Sequence, residues 1–404
     1  WTLSDKNPSV NILPCNFNTP VLIPDQDSDG IDDMVIIQGG LADGSDHIKI
    51  YDYKSNRLLA DKYNRKTIET SIQDYLNNTT DEELVLKLCR GDLCEIKSVH
   101  RSLFEKYTFD IFMSELFFNQ EGPGSRIYVI SSQSGQIIRY FFVPEERESW
   151  GVPIVFTHKN KGYLIYGSGG ERKDGHLVAQ DFLTGEVIWM IPIENKGIIS
   201  SQVLYIENDR PVVIANSMNG DVLKIDAISG KIKWSKSVTT EYETYSSPAV
   251  IKTVSGFDVV SIFSRGVWPK YDSSTLFIFD GETGAVKLRK RIGNCNAASS
   301  PIIADINNDN SEDIIFVTCA DRQSRLLIID QDYNELFDYP LQSGAFATPI
   351  LSDIDNDAHL DLIVPRFHFI NRFRFKDENT SLVRLNWNQY RGINWSGRRL
   401  NFND

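Results

Sequence analysis

Short apolar runs rich in β-branched residues recur along the chain, and turn-forming residues separate them. Three pairs of these runs bracket an acidic turn, which is the pattern typical of a β-hairpin. Similar runs fill most of the remaining sequence, so the chain is predicted to be all-β. The paired runs are Thr19–Ile23 with Met34–Ile37, Ser300–Ala304 with Ile314–Val317, and Thr348–Ser352 with Leu362–Val364.

A second element also repeats: an apolar strand that ends in Asp, a turn that contains Gly or Asn, and another strand. Gly and Asn tolerate the left-handed backbone that such a turn needs at one position. The clear copies are Asp181–Trp189, Asp226–Trp234 and Asp280–Leu288, and the weaker ones are Ser131–Arg139, Asp52–Ala60 and Asp330–Phe337.

Joined together, the two elements make a unit of four strands that recurs about every 40 to 50 residues, the period of a propeller blade. We therefore predict that residues 1–404 form one domain, a closed β-propeller of four-stranded blades. The predicted number of blades is eight. It would be seven if residues 64–118 build one blade with a long insertion. Further insertions are predicted near 64–83, 167–175 and 265–274, and a docking tail at 380–404. The units begin near Pro20, Ser71, Phe109, Trp150, Ser200, Ser246, Ser299 and Thr348.

The three acidic turns share one register, with Asp or Asn at the first, third, fifth and ninth positions. A hard cation takes about six to eight oxygen ligands, so we expect each turn to bind Ca²⁺ and to tie its hairpin. Asn310 and Ala358 replace Gly30 in the second and third turns, where we expect weaker binding. The ligand positions are Asp25, Asp27, Asp29 and Asp33; Asp305, Asn307, Asp309 and Asp313; and Asp353, Asp355, Asp357 and Asp361.

These motifs resemble two families. The acidic turns at Asp25, Asp305 and Asp353 are similar to those of integrin-α-like FG-GAP repeat proteins. The turns that lead to Trp189 and Trp234 are similar to those of quinoprotein-alcohol-dehydrogenase-like propellers. Membrane-anchored proteins with an integrin-α-like FG-GAP ectodomain combine both features. The resemblance implies a propeller with calcium sites, and it does not specify a ligand.

The net charge and the cysteine content indicate which partners and which cellular location to expect. The net charge of -13 argues against a nucleic-acid partner. No apolar run approaches the roughly 18 residues needed to cross a bilayer, and the chain starts at Trp1, so a signal peptide or an anchor could have been removed. We expect an extracellular protein with two disulfides, the alternative being five reduced thiols. The disulfide candidates are Cys89 with Cys94 and Cys295 with Cys319, and the glycosylation sequons are at Asn77, Asn78, Asn379 and Asn394.

The sequence favours binding over catalysis. No two cysteines are adjacent, unlike the cysteine pair over the cofactor of quinoprotein dehydrogenases, and the six histidines are scattered. We predict a non-catalytic ligand-binding or adhesive ectodomain whose partner is a protein at the cell surface. The alternatives are an extracellular enzyme in the propeller funnel and a structural accessory subunit of a membrane-anchored partner. Candidate recognition residues are the Arg-Gly-Asp tip, Arg90, Gly91 and Asp92, and the rim residues Trp268 and Tyr271.

Overall fold

A computed structural model divides the chain into two compact units, and the residues that it describes form β-strands and a short 3-10 helix, Pro144–Glu146. One unit draws on Trp1, residues 18–38 and residues 126–404, and the other on residues 2–17 and 39–125. The prediction of a single domain stays a prediction. The described residues are 20–38, 48–52, 58–61, 80, 83–90, 93–100, 125–170, 174–254, 256–267, 270–307, 309–319, 323–345, 347–355, 357, 359–367 and 369–374.

The described part of the larger unit consists of six antiparallel sheets, and in three of them four strands follow one another directly in the chain. The first sheet is β1 (Val21–Ile23), β2 (Asp33–Gln38), β7 (Arg126–Ile130) and β8 (Ile137–Phe142). The second is β9 (Ile154–His158), β10 (Lys161–Gly167), β11 (Gly175–Asp181) and β12 (Val187–Ile193), and the third is β13 (Val203–Glu207), β14 (Arg210–Asn216), β15 (Asp221–Asp226) and β16 (Ile232–Ser237).

Three further sheets complete the described part of this unit. In the fourth, two short strands, β17 (Tyr242–Glu243) and β18 (Ala249–Thr253), both pair with β19 (Gly256–Val267), and β20 (Lys270–Asp280) and β21 (Val286–Gly293) follow. The fifth is β22 (Ile302–Ala304), β23 (Asp313–Val317), β24 (Arg325–Ile329) and β25 (Glu335–Pro340). The sixth is β26 (Ile350–Ser352), β27 (Asp361–Pro365) and β28 (Ile370–Arg374).

Hydroxyl side chains link the short segments that lead into β9, β13, β18, β22 and β26, in five successive sheets. Ser201 Oγ accepts a hydrogen bond from Val152 N (2.8 Å), and Ser247 Oγ accepts one from Ser201 N (3.0 Å). The relay continues from Ser247 N to Ser300 Oγ (2.9 Å) and from Ser300 N to Thr348 Oγ1 (3.1 Å). The inner ends of five consecutive sheets are thus side by side in chain order, as in propeller blades. Closure of the ring and the number of blades stay predictions.

The Asp-to-Trp turns explain how neighbouring sheets pack. Trp189 Nε1 on β12 donates to Ala227 O, and Trp234 Nε1 on β16 donates to Gly281 O, both at 3.0 Å. Gly230 has a φ of +71°, and a Cβ there would lie 2.7 Å from the Trp189 ring. Glycine is therefore required both by the turn and by the indole that rests on it. The two tryptophans are therefore packing residues between sheets.

Burial decreases from the inner strands to the outer strand of a sheet. Every residue of β11 and β23 is buried, whereas every residue of the outer strand β25 is exposed. The apolar faces of adjacent sheets merge into continuous clusters, the largest of which runs from β13 to β27. This burial accounts for the near-continuous apolar runs of the inner strands.

The smaller unit corrects the predicted organisation of the first third of the chain. It holds β3 (Ile48–Asp52), β4 (Leu58–Asp61), β5 (Glu83–Arg90) and β6 (Leu93–His100), in the order β4-β3-β5-β6. The prediction that the turn at 52–60 completes the sheet of the first acidic loop is wrong, because β7 and β8 complete it. Strand patterns do not encode which distant strands will pair. The predicted unit starts near Ser71 and Phe109 lie outside the described residues.

Candidate functional site: the acidic hairpin loops

The first acidic loop joins β1 to β2, and its carboxylates converge. One oxygen from each of Asp25, Asp27 and Asp29 lies within 4.8 Å of the others. The loop backbone turns inward and donates to Asp25, from Gly30 N to Oδ2 (2.9 Å) and from Ser28 N to Oδ1 (2.8 Å). The hydrogen bond from Gly30 is the largest cause of a lowered pKa at Asp25. This loop therefore presents several carboxylate oxygens in a small space, a donor set that suits Ca²⁺.

The ninth position anchors the loop to its sheet. Asp33 is fully buried, and its Oδ2 accepts a hydrogen bond from Gln26 N at 2.6 Å. Its Oδ1 accepts another from Ser132 N at 3.2 Å, in the turn between β7 and β8. Asp33 thus ties the end of the loop to its beginning, at Gln26, and also to the turn of the β7–β8 hairpin, at Ser132.

The second loop, between β22 and β23, repeats the same backbone pattern. Asn310 N donates to Asp305 Oδ2 at 2.9 Å, the same bond that Gly30 makes in the first loop. Asn310 has a φ of +65°, so it adopts the left-handed conformation in place of glycine. Asp309 N donates to Asn307 Oδ1 at 3.1 Å, which keeps the third position turned into the loop.

Asp313, the ninth residue of this loop, is a buried carboxylate that needs a compensating charge. Its Oδ2 accepts a hydrogen bond from Ile306 N (3.0 Å), but its buried Oδ1 has no hydrogen-bond partner among the described residues. Burial, with the nearby charges of Asp309 and Asp305, raises the pKa of Asp313 to about 7. A divalent cation would supply the positive charge that this unpaired buried oxygen lacks. The second loop therefore fits Ca²⁺ through this unpaired oxygen, although the described oxygens of Asp305, Asp309 and Asp313 do not all lie within 4.8 Å of one another as those of the first loop do.

The third loop, between β26 and β27, is paired with two arginine side chains of the same sheet. Arg372 and Arg374 on β28 both donate to Asp355 Oδ2, and Arg374 Nη1 lies 3.0 Å from Asp357 Oδ2. Arg372 Nε also donates to the buried Asp361 Oδ1 at 2.7 Å. The hydrogen bond from Arg372 is the largest cause that lowers the pKa of Asp355, to about 2.

The two arginines change what the third loop can bind. Asp353, Asp355 and Asp357 are close enough together to hold a metal ion. Two guanidinium groups already neutralise part of this cluster, so the third loop fits a divalent cation poorly. None of the sites predicted from the sequence includes these two arginines. Two arginines in alternate positions on the strand after an acidic hairpin were the available signal.

A disulfide braces the hairpin of the second loop, as predicted. Cys295, before β22, is bonded to Cys319, after β23, with a Cα–Cα distance of 5.6 Å. Both residues are buried. Cys89 and Cys94 are cross-strand partners in the β5–β6 hairpin, which is the predicted arrangement of their backbones.

Replacing Cys295 with Ser is expected to destabilise the larger unit. The bond closes a sequence separation of 24 residues, for which loop-closure entropy predicts a loss of about 3.5 kcal/mol in the free energy of unfolding. Urea denaturation of Cys295→Ser and Cys319→Ser checks this value, and the double variant should lose no more than either single one. An unchanged urea midpoint in both single variants would show that the bond contributes nothing to stability.

The other predicted recognition residues are only partly described. Tyr271 belongs to β20, where its hydroxyl donates to Glu243 Oε2 at 2.7 Å, so residues 265–274 largely extend the β19–β20 hairpin. Arg90 ends β5, and Gly175 begins β11. Several predicted sites lie outside the described residues: Gly91, Asp92, Trp268, the four sequons at Asn77, Asn78, Asn379 and Asn394, and the tail 380–404.

No protein-family model matches the chain, and no curated protein is significantly similar to it. Among solved structures, the chain is similar to BamB from Moraxella catarrhalis, with 14% identity and a TM-score of 0.38 over 65% of this chain and 75% of that one. It is also similar to BBS1N, solved in complex with ARL6DN, with 8% identity and a TM-score of 0.44 over 74% and 88%. Both are β-propeller proteins. With TM-scores this low, the propeller interpretation depends on the sheets of the chain itself.

Proposed function

We propose that the chain is a non-catalytic, calcium-stabilised β-propeller that acts as the ligand-binding or adhesive ectodomain of a cell-surface or secreted glycoprotein. The observation that carries this proposal is the β22–β23 hairpin, where a disulfide and an acidic loop occur together. Disulfides persist in oxidising compartments. Oxygen-rich loops with moderate calcium affinity are typical of extracellular modules, where calcium is abundant. Together the two features favour the outside of the cell.

A binding role agrees with the arrangement of packed sheets and of loops at the ends of their strands. The hydroxyl relay and the packed tryptophans hold the sheets together, so that loops at their ends are presented on a firm base. Loops on a rigid scaffold are where recognition is usually located. The partner we propose is a protein at the cell surface, and the accessory-subunit role is a variant of the same proposal.

Cells are expected to attach to a surface coated with the intact chain, and the Arg-Gly-Asp tip is the first candidate to mediate this. Asp92→Glu keeps the charge but moves the carboxylate by one methylene, which should abolish attachment if the tip completes a metal site on a receptor. Asp332→Glu, at an exposed turn between β24 and β25, is the matched control and should attach normally.

The outcomes of this assay separate two ideas. Failure of the unaltered chain to support attachment by any cell type tested would contradict the adhesive role. Normal attachment by Asp92→Glu would remove the tip from the interface, and the interaction surface would then have to be found elsewhere on the chain.

A further inference from the structure

An arginine-rich pocket lies on the fourth sheet, and none of its lining residues belongs to an acidic loop. It is a cavity of about 310 Å³, near the lower limit of roughly 300 Å³ for small-ligand sites. Four strands contribute to its wall. Arg265 and Ser273 belong to the insertion predicted near 265–274, and the other lining residues are in none of the sites predicted from the sequence. The lining residues are Tyr242, Arg265, Ser273, Thr275, Arg289 and Arg291.

Strand register builds this pocket. Tyr242 on β17 is the cross-strand partner of Arg265 on β19, and Arg265 is the partner of Ser273 on β20. Thr275, two residues after Ser273, is the partner of Arg291 on β21. Cross-strand partners, and residues two apart on one strand, project from the same face of a sheet. The side chains therefore converge because of the sheet itself.

The pocket carries positive charge that the described residues do not cancel. Arg265 is paired, with its Nε 3.0 Å from Glu241 Oε2 and its Nη1 3.8 Å from Asp272 Oδ2. Arg289 and Arg291 differ from it: in the described part of the chain, no carboxylate lies within ion-pair distance of either. Arg291 Nη2 donates instead to the backbone oxygen of Asp272 at 3.3 Å.

Arg289 is held in place by aromatic rings. Its Nη2 donates to the Tyr242 hydroxyl at 3.2 Å, and its guanidinium carbon lies 5.9 Å from the centre of that ring and 5.7 Å from the centre of the Phe277 ring. Ring stacking orients a guanidinium without neutralising it. Lys287 on the same strand shows the contrast, because its Nζ is 2.8 Å from Asp258 Oδ2.

Hydroxyl groups complete the donor set. Tyr242, Ser273 and Thr275 are buried, and each contributes a hydroxyl to the wall of the pocket. Burial acts to raise the pKa of Tyr242, but hydrogen bonds with Thr275 and Arg289 and the charges of Arg289 and Arg265 outweigh it and lower that pKa. The pocket thus already favours negative charge at its centre.

We propose that the arginine pocket binds a tetrahedral oxyanion, the sulfate or phosphate monoester group of a small ligand. Guanidinium forks and hydroxyls are the donors that such a group prefers, since each can address a different oxygen. The site requires neither calcium nor the adhesive role. Arg289 and Arg291 supply the charge, and Thr275 and Tyr242 fix the orientation.

Calorimetric titration of the intact chain with inorganic sulfate, inorganic phosphate and sodium chloride at matched ionic strength tests this proposal. Sulfate or phosphate is expected to bind with one site per chain, and chloride is not. Arg289→Gln and Arg291→Gln should each weaken binding at least about tenfold, because each removes a charge-assisted hydrogen bond. Both arginines are exposed, so folding should be preserved, which far-UV circular dichroism checks.

Arg210→Gln, which removes the same charge from an exposed position on β14, is the control and should change the affinity less than about twofold. Tighter binding of phenyl sulfate than of phenyl phosphate, or the reverse, identifies the source of the oxyanion. The proposal is overturned if neither inorganic anion binds, or if Arg210→Gln weakens binding as much as the pocket variants do.

Discussion

Chelation of calcium by EDTA is expected to lower the free energy of unfolding of the intact chain by several kcal/mol. A loop with a Kd of about 10⁻⁴ M, in the range of extracellular modules, is stabilised by about 2.7 kcal/mol when calcium is about a hundredfold above that value. Two loops that fit the ion, at Asp25 and at Asp305, would give about twice that amount. Urea denaturation in about 10 mM calcium and in EDTA measures the difference.

A matched pair of variants assigns this effect to particular loops. Asp27 is the third residue of the first loop and is exposed, and as Asn it can still accept the hydrogen bond from Asp29 N. Asp27→Asn should therefore leave stability in EDTA almost unchanged and remove about half of the calcium-dependent gain. Asp355 holds the same position in the third loop, where it is paired with Arg372 and Arg374.

Asp355→Asn should show the opposite behaviour. The loss of exposed ion pairs should cost at most about 1 kcal/mol, equally with and without calcium, and the calcium-dependent gain should be retained. If Asp355→Asn removed part of that gain, the arginines would not be acting as the counter-charge of the third loop. A gain of zero in the unaltered chain would contradict calcium stabilisation at every loop.

Trp234→Ala is expected to destabilise the larger unit by about 3 to 5 kcal/mol, because it empties a buried position between two sheets. The side chain is 8% exposed and packs against the Phe279 ring at 6.4 Å between ring centres. Its removal takes away one of two donors to the Gly281 oxygen and leaves the Lys224 ammonium as the other. The urea midpoint measures the loss, and amide exchange in β15 and β20 shows whether both sheets open.

Trp234→Phe separates packing from hydrogen bonding at the same position. Phenylalanine retains most of the apolar contact and lacks the indole N–H, so we expect a loss of about 1 to 2 kcal/mol. An effect of Trp234→Ala below about 1 kcal/mol would be incompatible with the tryptophan as a main contact between neighbouring sheets.

Features set by short-range chemistry could be predicted from the sequence. The acidic loops, the glycine turns and the Cys295–Cys319 bond all follow from spacing within one hairpin, and the structure has them where the sequence indicates. Gly230 is an example. Its left-handed turn is predicted from the residue type, and its contact with Trp189 joins two copies of the repeated Asp-to-Trp turn.

Features that depend on distant pairing could not be predicted. β2 ends at Gln38, but its partner β7 begins at Arg126, and the residues of neither strand indicate that the two will pair. The arginines of the third loop and the arginine pocket arise in the same way, from side chains that only sheet register brings together. A sequence pattern predicts on which face of the sheet a residue lies. Which residue of another strand lies beside it is determined only by the fold.

The most direct test of the calcium account is the number of ions bound per chain, measured by equilibrium dialysis against calcium. The account predicts two ions, one of which is lost in Asp27→Asn, with no change in Asp355→Asn. A chain that binds no calcium, or one whose bound calcium falls in Asp355→Asn and not in Asp27→Asn, would contradict it.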